Sequence, residues 1–264
     1  MFNIFYNKKK EWWKNKTWNG IRAKSGCKNK NRLLLSTPST DSDSFVPCES
    51  FKSFTWVSWV IPAESQNGPS CGGHGIANFK EVMLRRFHKE GKVPFCMWQQ
   101  IDGDAIWKYA RIKYYDGDMN GGLTIEDAFN AALEMGIFVK GSELKTISRH
   151  EAMTSDQFLK TPFIDGHDVS GWCSNGLRDN GQVFEGGMPN GTGGHCTLHV
   201  SRMTQNNQNF WQNLNSWGST FGWHGLFITS EWFDKFTGLE DVMYYVVEPE
   251  GWENDDGWRK YIIG

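Results

Sequence analysis

Three polar residues, far apart in the chain, have the types that covalent catalysis by a thiol requires. Cys71 stands in "SQNGPSCGGHG" (65–75), His195 in "GTGGHCTLHV" (191–200) and Asn215 in "NLNSWG" (213–218). A thiol nucleophile needs a base within hydrogen-bond reach, and the base needs a third group to orient it. Taken alone, Cys71 fits three roles: a nucleophile, a metal ligand beside His74, or a core thiol. A cysteine opening a helix feels the positive end of the helix dipole, which favours thiolate. Small residues at 72 and 73 leave room around the sulfur.

The partner must come from seven histidines: 74, 88, 150, 167, 195, 199 and 224. His88 sits in the charged "RRFHKE" and is expected at the surface. His150 and His167 fall in stretches read as polar loops. His74 leaves the same helix as Cys71, a poor direction for gripping that sulfur, and is expected to pack or hydrogen-bond instead. His195 enters a strand after a Gly-rich loop, which places a side chain at the rim of a cleft. Asn215 offers an amide oxygen to an imidazole N–H, and Trp217 is placed to cover that bond. A covered hydrogen bond holds one tautomer more firmly.

The elements that position these residues follow from pattern. "FTWVSWVIP" (54–62) reads as a strand ending at Pro62. After Cys71, the apolar residues Ile76, Phe79, Met83 and Phe87 recur at helical spacing, and Gly91 ends the run. Residues 105–115 read as a second helix, 116–122 as a loop, and 123–136 as a third helix capped by Thr124 and closed by Gly136. Beyond residue 140 the helical signal fades. "HCTLHVSRM", "NFWQNLNSW", "HGLFITSEW" and "DVMYYVVEP" read as strands between Gly/Asn turns. Helices first and strands second predict an α+β fold of two lobes.

Composition narrows the function class. The 264 residues suffice for one large domain or two lobes around a shared core, and the net charge of −2 gives no footprint for nucleic acid. Six cysteines with no C-x-x-C pair argue against a zinc ribbon and a dense disulfide scaffold, so free thiols in a reducing compartment are expected. Residues 1–50 are basic and then Ser/Thr/Asp-rich, and are read as an arm and linker ahead of a 51–264 domain. Trp12, Trp13 and Trp18 among the lysines would dock this arm on the domain or on a protein partner. No signal peptide and no membrane span are expected, which suggests a cytoplasmic or assembly-associated protein.

At this point the chain resembles the papain-like cysteine peptidase family. The carriers are "PAESQNGPSCGGHGIANF" (62–79), "MNGGLTIEDAFNAALEMGI" (119–137), "GGHCTLHV" (193–200) and "NSWGSTFGWHGLF" (215–227). They occur in the family's order over roughly residues 51–250. The resemblance implies a two-lobed papain-like fold, with a helical lobe carrying Cys71 and a β-barrel-like lobe carrying His195 and Asn215. It implies Cys71 as nucleophile, His195 as base and acid, Asn215 as orienter, and Gln66 as the side-chain donor of an oxyanion hole. Gly121 and Gly122 would line the cleft for an extended peptide, and Trp217 would shield the His195–Asn215 bond and touch substrate.

The Gln66–Cys71 interval is one residue shorter than the family's usual one, so Asn67-Gly68-Pro69 must turn differently. A glycine, Gly72, follows Cys71 where a bulky aromatic is usual, and Phe221 replaces the second Trp of the "SWGxxWG" pattern. The implied activity is peptide-bond hydrolysis through an acyl-enzyme, with no cofactor and no metal. The alternatives are a peptidase-like structural or docking component of a larger assembly, such as a virus particle, and a thiol amidase acting on cell-wall peptides. Metal binding by Cys71, His74, His195 and Cys196 matches no standard spacing.

Overall fold

In the computed structural model the described residues are 54–94, 100–169, 173–178, 181–186, 193–205 and 208–263. The arm of residues 1–50, with Trp12, Trp13 and Trp18, lies outside them. The helices are α1 (Cys71–Lys89), α2 (Gly103–Tyr114), α3 (Ile125–Glu134), α4 (Arg149–Ala152), α5 (Gln157–Lys160) and α6 (Glu231–Thr237). The strands are β1 (Phe54–Thr55), β2 (Gln100–Ile101), β3 (Glu143–Ser148), β4 (Phe163–Asp168), β5 (Cys173–Arg178), β6 (Gly181–Gly186), β7 (Gly194–Gln205), β8 (Gln208–Leu214), β9 (Leu226–Ser230), β10 (Val242–Val247) and β11 (Ile262–Ile263). The expected division into a helical first part and a strand-rich second part is present.

The second part is one twisted sheet rather than a barrel. Its strands run in the order β3-β10-β4-β7-β8-β9-β6-β5, with β1 added to β7. Strand β6 joins β9 in parallel, which carries the path outward instead of back to β3. The end strands β3 and β5 do not pair among the described residues, so the barrel-like expectation is corrected to an open sheet.

The strand expected over 54–62 is also shorter. Only Phe54 and Thr55 pair with β7, and residues 57–59 form a 3-10 turn. Trp56 marks the break: it is fully buried, and its indole N–H donates to the Phe158 carbonyl at 2.9 Å. Its backbone N–H still donates to the Val200 carbonyl of β7 at 2.6 Å, and the chain leaves the ladder directly after it.

The helical signals read correctly. Thr124 caps α3, its hydroxyl accepting from the Asp127 N–H at 3.0 Å. Gly91 (φ +74°) and Gly136 (φ +79°) take the left-handed conformation just past α1 and α3.

Helix α1 occupies the centre, and its first turn explains the string "CGGHG". A Cβ on Gly72 would stand 3.5 Å from the Leu123 Cβ and 3.7 Å from the Ala128 Cβ, at the start of α3. On Gly73 it would fall 2.1 Å from the Gly103 carbonyl oxygen of α2, and on Gly75 it would fall 2.4 Å from the Cys196 sulfur of β7. The small residues therefore do not leave room around the nucleophile. They let α2, α3 and β7 close on it.

Gly73→Ala should accordingly force α1 away from α2, because the obstructing atoms are backbone. The expected loss is about 1–3 kcal/mol in urea unfolding, the usual cost of overpacking. An unchanged midpoint would contradict this packing.

Candidate active site

Cys71 is the first residue of α1 and is wholly buried. Its sulfur receives backbone N–H groups from Cys196, Gly72 and Cys71 itself. The Cys196 amide belongs to the residue directly after His195 on β7, so the α1 terminus meets the strand carrying the histidine. Burial pushes the thiol up to about 12, and the three amides only soften that rise. The helix-terminus effect expected from sequence is thus outweighed by desolvation.

His195 is also fully buried, and its Nε2 lies 2.7 Å from Asn215 Oδ1. Asn215 Oδ1 also accepts the Ser216 N–H at 2.7 Å, which identifies that atom as the oxygen. Nε2 must then carry the proton in the neutral ring, leaving the lone pair on Nδ1. Trp217 stacks on the imidazole, with centroids 4.5 Å apart and an interplanar angle of 30°. Phe221 backs Trp217 edge-on at 4.9 Å, and in turn packs on Phe184 and Phe227. Phe221 thus serves as the wall behind the Trp217 shield. Burial pulls the imidazole down to about 4, against the raising effect of the Asn215 bond.

Gln66 is fully buried beside the Asn215-Ser216-Trp217-Gly218 segment. Its N–H donates to the Ser216 carbonyl at 2.8 Å, and the Gly218 N–H donates to the Glu64 carbonyl at 2.8 Å. Ser65 and Trp217 form an antiparallel bridge between these two bonds. Gly218 (φ +88°) sits so close that a Cβ there would lie 2.7 Å from Ser65 Oγ. The Ser216 hydroxyl holds Gln66 Oε1 in a short hydrogen bond. The amide is therefore oriented, with Nε2 donating to the Gly68 carbonyl at 2.8 Å. The shortened turn makes that contact by placing Gly68 at φ +87°.

Gly121 and Gly122 are buried just before α3. The Gly121 carbonyl accepts from Trp107 Nε1 at 3.0 Å, and the Gly122 carbonyl from Arg111 Nη1 at 3.2 Å. Both glycines sit immediately before Leu123, the residue facing Gly72 on the Cys71 helix.

Sequence reasoning missed the group that ties the 67–70 turn down. Asp104, in the first turn of α2, accepts the Asn67 N–H at 3.3 Å, Asn67 Nδ2 at 3.0 Å and the Ser70 hydroxyl. Its Oδ1 also lies 3.1 Å from His74 Nε2, while His74 Nδ1 lies 3.3 Å from Glu64. An acidic residue at a helix start looks like a dipole partner, and nothing local signals these distant contacts. His74 is hydrogen-bonded, as expected.

Burial alone would lower the His74 pKa, but the bonds to Asp104 and Glu64 overcome this and raise it to about 9. A raised histidine contributes fully below its unfolded value near 6.5, and the contribution fades as pH rises through about 9. Wild type should lose up to about 3 kcal/mol more stability than His74→Gln between pH 6 and pH 9.5. Urea unfolding at the two pH values checks this, and equal losses would contradict the ion triad.

No family model and no curated protein matches the chain. Solved structures do match. The digestive procathepsin L2 of Tenebrio molitor has a TM-score of 0.54 at 17% identity, covering 74% of this chain and 67% of that one. The ragweed pollen cysteine protease Amb a 11, in its proform, has a TM-score of 0.55 at 16% identity, covering 78% and 70%. Xylellain, a cysteine protease from Xylella fastidiosa, has a TM-score of 0.53 at 13% identity, covering 73% and 84%. This chain has the mixed helix-and-sheet fold of these papain-like cysteine proteases.

Proposed function

We propose that the chain is a cysteine-type peptidase that cleaves peptide bonds through a thioester intermediate. The observation that carries this reading is the His195–Asn215 hydrogen bond beneath Trp217, on the strand whose next amide reaches the Cys71 sulfur. Asn215 fixes Nε2 as the protonated nitrogen, so Nδ1 is the base.

The Cys71 proton moves to Nδ1 as the sulfur attacks the peptide carbonyl carbon, and the carbonyl π electrons move onto oxygen. The second N–H of the Gln66 amide and the Cys71 backbone N–H receive that oxyanion. Collapse breaks the C–N bond, and the imidazolium gives its proton to the departing amine. Water, deprotonated by His195, then attacks the thioester, and the C–S bond breaks to release the acid. Gly121 and Gly122 offer backbone for an extended substrate to pair with. Trp217 excludes water from the His195–Asn215 bond.

Burial opposes a lone thiolate and a lone imidazolium alike. Proton transfer within the pair, made while substrate adds, creates both charges together and lets each offset the other. The same burial supports a second reading, a peptidase-like component of an assembly with little turnover.

Quenched fluorescent peptide libraries separate the two readings. Turnover that disappears in the Cys71 variant supports the first, and an intact library with a folded chain supports the second. Gln66→Ala should lower kcat by about 100- to 1000-fold with little change in KM, the usual cost of one oxyanion donor. An unchanged kcat would remove Gln66 from the mechanism.

A further inference from the structure

A second convergence of ionisable side chains lies in the sheet, and peptide hydrolysis does not use it. Asp165 and His167 stand two apart on β4, His199 lies on the neighbouring β7, and Asp234 comes from α6. All four are buried, at 0%, 0%, 0% and 2% exposure. His167 is no loop residue, as the sequence suggested, but part of a strand paired with β7, where it faces His195 in register.

The four side chains aim at one point. His199 Nε2 lies 3.0 Å from Asp165 Oδ2 and 3.7 Å from Asp234 Oδ2. His167 Nε2 lies 3.2 Å from Asp165 Oδ2 and 3.5 Å from Asp234 Oδ1. The ligand-type atoms all fall within 4.8 Å of one another. Around Zn2+, with bonds of about 2.0–2.2 Å, the edges of a tetrahedron measure about 3.3–3.5 Å. Asp165 Oδ2 lies near that distance from both histidines, at 3.0 and 3.2 Å, and Asp234 offers a different oxygen to each, at 3.7 and 3.5 Å, so a small turn of its carboxylate brings one oxygen to the shared point.

The proton inventory points the same way. The Thr237 hydroxyl donates to the Phe233 carbonyl at 3.0 Å, so towards His167 Nδ1, 3.4 Å away, it can only accept. A neutral ring protonated on Nδ1 turns its Nε2 lone pair towards two carboxylates. Acceptor facing acceptor in a buried site requires a cation or an extra proton between them. Charge agrees: among the described residues, two carboxylates face one guanidinium, that of Arg149. Its Nη1 lies 2.6 Å from Asp165 Oδ2 and 3.2 Å from Asp234 Oδ2, and its Nη2 makes a short contact to Asp165 Oδ1. Thr229 donates to Asp234 Oδ1 at 3.1 Å. These outer contacts are of the kind that orient carboxylate and imidazole ligands.

We propose that Asp165, His167, His199 and Asp234 form a structural site for a divalent cation of the Zn2+ class. Four protein ligands close the coordination sphere, which makes the role structural rather than catalytic. The cation would clamp β4, β7 and α6, and so brace the strand that presents His195. The proposal does not depend on peptidase activity.

The test uses the full chain, stripped with chelator and titrated with Zn2+ against a chromophoric competitor, and separately with Co2+. One equivalent of Zn2+ should bind and raise the melting temperature. Co2+ should give the intense visible absorption of tetrahedral coordination. His199→Gln and Asp234→Asn should each lose the equivalent, while Cys71→Ser should keep it. Should those variants fail to fold, X-ray absorption of the wild-type Zn2+ complex decides: two imidazole nitrogens with oxygens and no sulfur support the site. A folded wild type that binds neither ion overturns the proposal, as does sulfur ligation or binding lost in Cys71→Ser.

Discussion

Cys71→Ser should lower peptide hydrolysis by about 10⁴-fold or more, the largest effect on activity expected of any single change. The substitution keeps size and hydrogen-bonding capacity at the first position of α1. It fails chemically, because a buried hydroxyl gives up its proton far less readily than a thiol. His195, drawn down to about 4 by burial, is too weak a base to compensate. Steady-state kcat/KM on quenched peptides measures the loss, and circular dichroism separates it from unfolding. Activity within tenfold of wild type would remove Cys71 from the chemistry.

Arg149→Met should cost about 3–5 kcal/mol in urea unfolding, the largest effect on stability. Arg149 opens α4, and its guanidinium holds Asp165 on one side and Asp234 on the other. Burial by itself would raise the Asp165 carboxyl, and the Arg149 charge leads the effects that hold it below the usual carboxylate range. Methionine keeps much of the volume while leaving two buried carboxylates without their guanidinium. Arg149→Lys should recover only part of the loss, since a point charge cannot bridge both carboxylates as a planar fork does. A loss below about 1 kcal/mol in Arg149→Met would contradict the assignment of this cluster as buried and coupled.

The parts of the molecule legible in sequence are those whose constraints are local. Gly218 must adopt φ +88° beside Ser65, so the Asn215–Gly218 segment carries its own signature. Helix α1 announces itself through Ile76, Phe79, Met83 and Phe87, and α3 through its Thr124 cap. The illegible parts depend on partners far away in the chain. Strand β4 reads "FIDGHD", yet every residue of it is buried. Its Asp165 and His167 are matched by Arg149 and Asp234, which no period-2 pattern can reveal. Trp56, where the chain leaves β7, docks its indole on a carbonyl more than a hundred residues later. The depth of Cys71 is likewise hidden, because Gly72 and Gly73, read as space, are filled by neighbouring elements. The turn after Gln66 could be counted as short, but its consequence, an amide fixed by Ser216 and Gly68, needed the fold.

The most direct measurement of the central claim is the rate at which a peptidyl epoxide alkylates each of the six cysteines at pH 5–6, read by peptide mass spectrometry. Cys71 is predicted to be labelled far faster than the other five in wild type, and to lose that advantage in His195→Ala. Equal labelling of all six, or Cys71 labelling indifferent to His195, would contradict a Cys71–His195 catalytic pair.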